Sequence, residues 1–245
     1  MIKLSIVTVV RNDANGLERT LQSVIAQTFK DLEYVVIDGN SSDDTISVIE
    51  RNENQIDKWI SEADNGIYDA MNKGINISKG EWVIFLNAGD EFANENVLES
   101  VFKEEEATDK IIYGDSILIG KDQQTHMKAK TFSRNNLVLW GTRVLCHQAI
   151  FVKRAVLGSY DLNYLLKAEL NWYFDLLTNV KASNIRQIPE AIVKYELGGI
   201  GEQRIFLNLR EHIKVLYKRT GFMFLFGLPV LCYKFLMTRK HLVSQ

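Results

Sequence analysis

Cysteine and proline are scarce: this chain of 245 residues has two of each. Cys146 and Cys232 stand far apart, with no metal-ligand spacing around them. A disulfide framework is therefore not expected, and a reducing cytosol fits best. Two prolines and fifteen glycines also exclude a collagen-like or low-complexity chain. Excess positive charge is missing as well. The formal net charge is −2, which gives no global reason to expect a nucleic-acid partner. The apolar stretch after Met1 has the length of a strand and is too short for a signal-peptide core, so no secretory signal is expected. What is present is ordinary for a soluble protein, with 46% apolar and 24% charged residues, which excludes wholesale disorder. The length suits one sizeable domain, or a domain with an appendage.

The mean charge hides an asymmetry. From Gln203 onward eight Lys or Arg face one acid, Glu211, a net of +7 that leaves −9 for the first 202 residues. Inside that basic segment, Phe222 to Tyr233 form a twelve-residue apolar run interrupted by Gly227 and Pro229. A spanning helix needs roughly 20 such residues. One reading is a core helix or a dimer surface. The other is a segment lying in an anionic membrane surface, since basic residues flank aromatic and aliphatic ones.

The first ninety residues alternate between strand and helix patterns. Leu4 to Val10 is a nearly continuous β-branched run, as in a strand buried on both faces of a parallel sheet. Leu17, Leu21, Val24 and Ile25 follow at helical spacing. A second strand, Leu32 to Ile37, stops at Asp38-Gly39-Asn40-Ser41-Ser42-Asp43-Asp44, a cluster of turn and capping residues. A helix through Ile46 and Ile49, a short strand over Asp57–Ser61, a helix over Tyr68–Ile77 and a strand over Trp82–Leu86 are expected next. Repeated β-α units predict an open α/β sheet, which binds ligands outside the carboxyl ends of its strands. Arg11 and Asn12, Asp38, Asp64, and Asn87 with Asp90 should therefore converge on one edge.

Beyond Glu91 the pattern is looser. It predicts helices over Val97–Glu106 and Leu165–Leu177, strands over Ile111–Tyr113, Ala149–Val152 and Ile192–Tyr195, and an exposed turn over Gly120–Gln124. Gly198-Gly199-Ile200-Gly201 has neither P-loop nor dinucleotide-binding spacing and reads as a mobile loop near a site. The organisation expected is a domain over 1–202, divided into a nucleotide-binding half (1–90) and an acceptor-binding half (91–202), followed by a basic, amphipathic helical tail (203–245). Several acids on one sheet edge repel each other unless a cation or a sugar with many hydroxyls sits there. Hard divalent cations take carboxylate and phosphate oxygens together, which points to a nucleotide diphosphate.

Five blocks in order carry a family likeness. They are Leu4–Thr8 through Asn12, Gln27-Thr28, Val36–Thr45, Asp64–Gly74 and Lys79–Asp90, with weaker continuations at His147–Phe151 and Gly198–Ile200. The sequence resembles the inverting glycosyltransferases of family 2, in the group that builds bacterial surface polysaccharides such as O-antigen, capsule or colanic acid. The resemblance implies an α/β GT-A fold, with an open, mostly parallel nucleotide-binding sheet flanked by helices. It places Thr8 and Arg11 near the nucleoside, Asp38 on the uracil or ribose, Asp64 in the nucleotide-sugar pocket and Lys73 facing the diphosphate. Asn87-Ala88-Gly89-Asp90 takes the place of the family's Asp-x-Asp motif. Asn87 and Gly89 replace the usual acids, so Asp90 is the carboxylate left for a manganese or magnesium ion, and metal binding should be weakened. His147 and Gln148 are assigned to the sugar pocket, although a lone His before an apolar strand is more often a packed residue. Trp140 and Trp172 are candidates for stacking on sugars and equally for the core. Glu169, in Lys167-Ala168-Glu169-Leu170-Asn171-Trp172, matches the family's Ala-Asp-Tyr base segment, with Asp161 and Asp175 as alternatives.

The activity implied is transfer of a hexose or N-acetylhexosamine from a UDP-sugar to a lipid-linked oligosaccharide. The enzyme would lie peripherally on the cytoplasmic face of the bacterial plasma membrane, held by its tail. The alternative is a non-catalytic, sugar-nucleotide-binding or scaffold protein of the same fold.

Overall fold

The computed structural model describes residues 2–120, 123–197, 204–222 and 225. The first half forms as its sequence pattern dictates. All seven residues of β1 (Leu4–Val10) are buried, and they pair in parallel with β2 (Leu32–Asp38) from Leu4 opposite Leu32 to Val10 opposite Asp38. Strand β3 (Lys58–Ser61) adds in parallel to the outer edge of β2, and β4 (Trp82–Phe85) adds in parallel to the other edge of β1. The chain thus reverses direction across the sheet between β1 and β4, the switch point where open α/β sheets bind ligands.

Successive side chains of a strand point to opposite faces, and the two cores follow that rule. Val7, Val9, Val35 and Ile37 face one cluster, which contains Tyr68 and Met71 of α3 (Ile67–Ile77) and Leu170 and Phe174 of α6 (Ala168–Asn179). Leu4, Ile6, Tyr34 and Val36 face the other. That side contains Leu17 and Leu21 of α1 (Ala14–Ile25), Ile49 of α2 (Thr45–Arg51) and Val101 of α4 (Val97–Lys103). Helices on both faces of the sheet are the expected α/β arrangement.

The second half continues the same sheet with mixed direction. Among the described residues the sheet has nine strands. Strand β8 (Ile150–Lys153) pairs antiparallel with β4 and with β6 (Ile111–Ile119). Strand β9 (Ile185–Glu196) runs parallel to β6, with register shifts around Asp115. Strand β5 (Glu91–Phe92) joins the far edge of β9, and β7 (Gln124–Met127) pairs with β6. The strands expected at Ile111–Tyr113 and Ile192–Tyr195 are the ends of these longer ones, and the helix expected from Leu165 starts at Ala168. A short helix, α5 (Arg134–Trp140), precedes β8.

The last described helix, α7 (Ile205–Thr220), packs on α6 and buries Val215 and Leu216 completely. Its His212 lies against Gly141, where an added Cβ would come within 2.2 Å of the imidazole. Only glycine fits there, and its φ of +59° also favours glycine. Most of the apolar run from Phe222 to Tyr233, and the glycines of 198–201, fall outside the described residues. Among the described residues no helix is long and apolar enough to cross a membrane.

Candidate active site

The loops after β1 and β2 lock together at the carboxyl edge of the sheet. Asp38 is fully buried. Its carboxylate accepts from the Ser41 amide and hydroxyl and from the Ser61 hydroxyl. The Ser41 hydroxyl in turn accepts from the Asn12 amide at 2.7 Å, while Asn12 Oδ1 accepts from the Ser42 amide at 2.8 Å. Asn12 and Asn40 both adopt positive φ, which asparagine tolerates better than most residues. This network holds Arg11 exposed at the rim and brings it beside Gly39 and Asp64. A Cβ on Gly39 would lie 2.3 Å from Asp64 Oδ2 and 3.3 Å from Arg11 Cδ. Arg11, Asp38 and Asp64 therefore do converge.

Two other expected donor contacts are placed differently. Thr8 is buried, donating to the Leu86 carbonyl at 2.6 Å and accepting from the Tyr34 hydroxyl at 3.0 Å. It supports the edge from inside. Lys73 Nζ donates to the Ala63 carbonyl at 2.8 Å and pairs with Glu62 at 3.0 Å, so it holds the segment leading into Asp64.

Across the edge lies an aromatic cluster. His147 stacks on Phe85 and its Nε2 lies 2.7 Å from the Tyr160 hydroxyl, with Trp172 and Tyr173 alongside. Burial lowers the His147 pKa, opposed by the Glu169 charge, and so favours the neutral ring. Gln148 is buried and accepts from the Cys146 thiol. Trp172 is core, donating to the Gly158 carbonyl at 3.1 Å. Trp140 is exposed, with Lys130 over its ring at 4.3 Å.

Glu169 sits in the first turn of α6, half-buried against this cluster. Burial drives the hydroxyls of Tyr68, Tyr160 and Tyr173 well above the usual tyrosine value, and the Glu169 charge pushes them further. Among the described residues no ion pair or hydrogen bond engages the Glu169 carboxylate. The alternatives are occupied: Asp175 pairs with Arg219 at 2.8 Å, and Asp161 bonds Asn163 and lies 3.6 Å from Lys218.

Residues 5–160 match the family described as glycosyl transferase family 2. The chain belongs to that family. This glycosyltransferase is 30% identical over 206 residues to a PGL/p-HBAD biosynthesis glycosyltransferase of Mycobacterium bovis, covering 80% of this chain and 78% of the relative. Over 95 residues it is 37% identical to the GalNAc(5)-diNAcBac-PP-undecaprenol beta-1,3-glucosyltransferase of Campylobacter jejuni, covering 37% of this chain and 31% of the relative. Among solved structures it is similar to glucosyl-3-phosphoglycerate synthase from Mycobacterium tuberculosis in complex with Mn2+, UDP and glucosyl-3-phosphoglycerate. The TM-score is 0.63 at 14% identity, covering 89% of this chain and 80% of that one. At that identity the likeness shows the GT-A fold alone.

The turn from Asn87 to Asp90 was the place expected for a metal in this transferase. Asp90 is 4% exposed, and its Oδ1 accepts from the Glu196 amide at 3.1 Å. Burial pushes its carboxyl up to about 8 against the pull of that hydrogen bond. The Glu196 carboxylate beside it is paired with Arg19 at 2.5 Å. That pair uses the space left by Gly89, where a Cβ would lie 2.9 Å from Glu196 Oε2. Asn87 Oδ1 is buried without a hydrogen-bond partner. Among the described residues no three acidic, histidine or cysteine side chains gather to hold a metal ion. The arrangement does not fit a divalent cation held by protein side chains alone.

Several residues of the site escaped sequence reasoning. Ser41 belongs to a turn cluster in the sequence, Ser61 ends an expected strand and Tyr68 begins an expected helix, while Tyr160, Arg19 and Glu196 carry no sequence signal, the last two being 177 positions apart. Each acquires its role only through tertiary contact.

Proposed function

We propose that this glycosyltransferase moves a sugar from a UDP-sugar to a hydroxyl of a lipid-linked saccharide, with inversion, in the assembly of a bacterial surface glycan. The observation that carries the reading is the Glu169 carboxylate, which has no partner among the described residues and stands at the start of a helix against an aromatic cluster. The donor lies along the edge formed by Arg11, Asp38, Asp64 and Asn87, with Lys73 fixing the Asp64 segment. Arg11 supplies positive charge toward the diphosphate. Glu169 takes the proton of the acceptor hydroxyl. The acceptor oxygen bonds to the anomeric carbon from the face opposite the diphosphate, whose oxygen departs with the electron pair as UDP. One displacement needs one base and inverts the centre.

The acceptor class rests on the neighbouring surface. Ile67, Leu162 and Leu165 are 41%, 47% and 50% exposed and line one small cleft together with Tyr68 and Tyr164. Lys214 and Lys218 of α7 stand over the Tyr164 ring at 5.0 and 5.8 Å. Apolar side chains beside two ammonium groups suit a lipid phosphate. A peripheral position on the cytoplasmic membrane face, with the basic segment after Gln203 against anionic lipid, agrees with this acceptor.

The test is incubation with UDP-sugars and a lipid-diphosphate saccharide, followed by NMR of the product anomer. The reading expects a new glycosidic bond of inverted configuration. Binding of UDP without transfer to any such acceptor, or a retained anomer, would contradict it.

A further inference from the structure

The helix that carries Glu169 is held in place from far along the chain. Residues 165–167 lead into α6, and Lys167 at its start provides no side-chain cap. Their three successive amides point at one carboxylate. Leu165 N–H donates to Glu211 Oε1 at 2.9 Å, and the N–H groups of Leu166 and Lys167 donate to Oε2 at 2.8 and 3.1 Å. Glu211 is 7% exposed and belongs to α7, beyond the 5–160 span that matches the family. In the first turn of α6, Glu169 lies against Tyr68 of α3, and its charge pushes the Tyr68 hydroxyl further above the usual tyrosine value.

We propose that Glu211 is the positioning residue for the catalytic base, and this rests on the reading of Glu169 as that base. An ionised carboxylate accepting three backbone N–H bonds fixes the backbone of 165–167. It also places negative charge at the positive end of the α6 dipole. The backbone so fixed ends two residues before Glu169, so its conformation sets where the base reaches. Lys167 is buried; burial lowers its pKa, and the charges of Glu169 and Glu211 oppose that. The second tie between the helices is of another kind. Arg219 Nε donates to Asn171 Oδ1 at 2.9 Å, and its Nη2 donates to Asp175 Oδ2 at 2.8 Å. It joins α7 to α6 without touching the 165–167 segment.

The test compares Glu211→Gln, Glu211→Asp, Arg219→Ala and Glu169→Gln in the full chain. It measures kcat, acceptor KM, UDP affinity and thermal stability. A glutamine turns its NH2 toward amides that need an acceptor, whereas aspartate keeps the charge on a shorter arm. The expected result is a kcat for Glu211→Gln lowered roughly 10- to 100-fold, the scale of a small misplacement of a catalytic group, with UDP affinity unchanged. Glu211→Asp should recover part of that rate, and Arg219→Ala should keep the parental kcat even where it loses stability. Parental kcat in Glu211→Gln alongside an impaired Glu169→Gln would overturn the positioning role and leave the base intact. Equal rate losses in Glu211→Gln and Arg219→Ala, in step with stability, would also overturn it. Parental kcat in Glu169→Gln would remove the base itself, and the positioning role with it.

Discussion

His147 Nε2 and the Tyr160 hydroxyl meet at 2.7 Å inside a buried aromatic cluster. The pair satisfies the buried imidazole nitrogen and fixes Tyr160 in the wall beside Glu169. Removing the hydroxyl leaves a buried imidazole nitrogen unsatisfied, a loss of about 1–3 kcal/mol. Tyr160→Phe should therefore lower unfolding stability by that amount while UDP affinity stays parental. Urea unfolding and calorimetry measure both. A fall in UDP affinity without a stability change would instead place the pair in the donor site.

Glu33 stabilises the opposite end of the sheet. It is 1% exposed, and its carboxylate accepts from the Ser5 hydroxyl at 2.6 Å, the Lys79 amide, the Gly80 amide at 3.1 Å and Lys58 Nζ at 2.8 Å. Burial raises its pKa, but Lys58 and the other donors outweigh this and hold it below the usual 4.5. A depressed acid pKa adds stability that is fully present above the unfolded value and lost as pH falls through the folded one. Glu33→Gln should thus cost on the order of 3–5 kcal/mol near neutrality, and the gap from the parent should narrow below pH 4.5. A gap that does not change with pH would contradict the ion-pair account.

Metal removal tests the turn at 87–90. With Glu196 held by Arg19 and Asp90 turned to the Glu196 amide, UDP affinity with EDTA should match that with manganese within a factor of about three, a gap of less than ~1 kcal/mol. Calorimetry in the two buffers reads it directly. Manganese strengthening UDP binding a hundredfold would show that these side chains regroup around an ion.

The first ninety residues were legible because parallel strands buried on both faces are written as unbroken β-branched runs closed by turn chemistry. Leu4–Val10 and Asp38–Asp44 are the clearest examples. The edge of convergent residues followed from that alternation. Strand β9 hid for the opposite reason. It contains Pro189, and most of its residues are partly or fully exposed, so only its buried end carried a pattern. The roles of Ser41, Tyr68 and Glu211 have no local signature, because their partners are set by packing of separate elements. Glu169 came from family likeness rather than from spacing. Its carboxylate, without a partner among the described residues, and its aromatic surroundings are visible only in three dimensions.

Single-turnover transfer by Glu169→Gln measures whether Glu169 deprotonates the acceptor. A general base contributes roughly 10²–10⁴-fold. The rate of glycosidic bond formation should fall by that factor, with UDP-sugar affinity equal to the parent's. Near-parental transfer by the variant would contradict it.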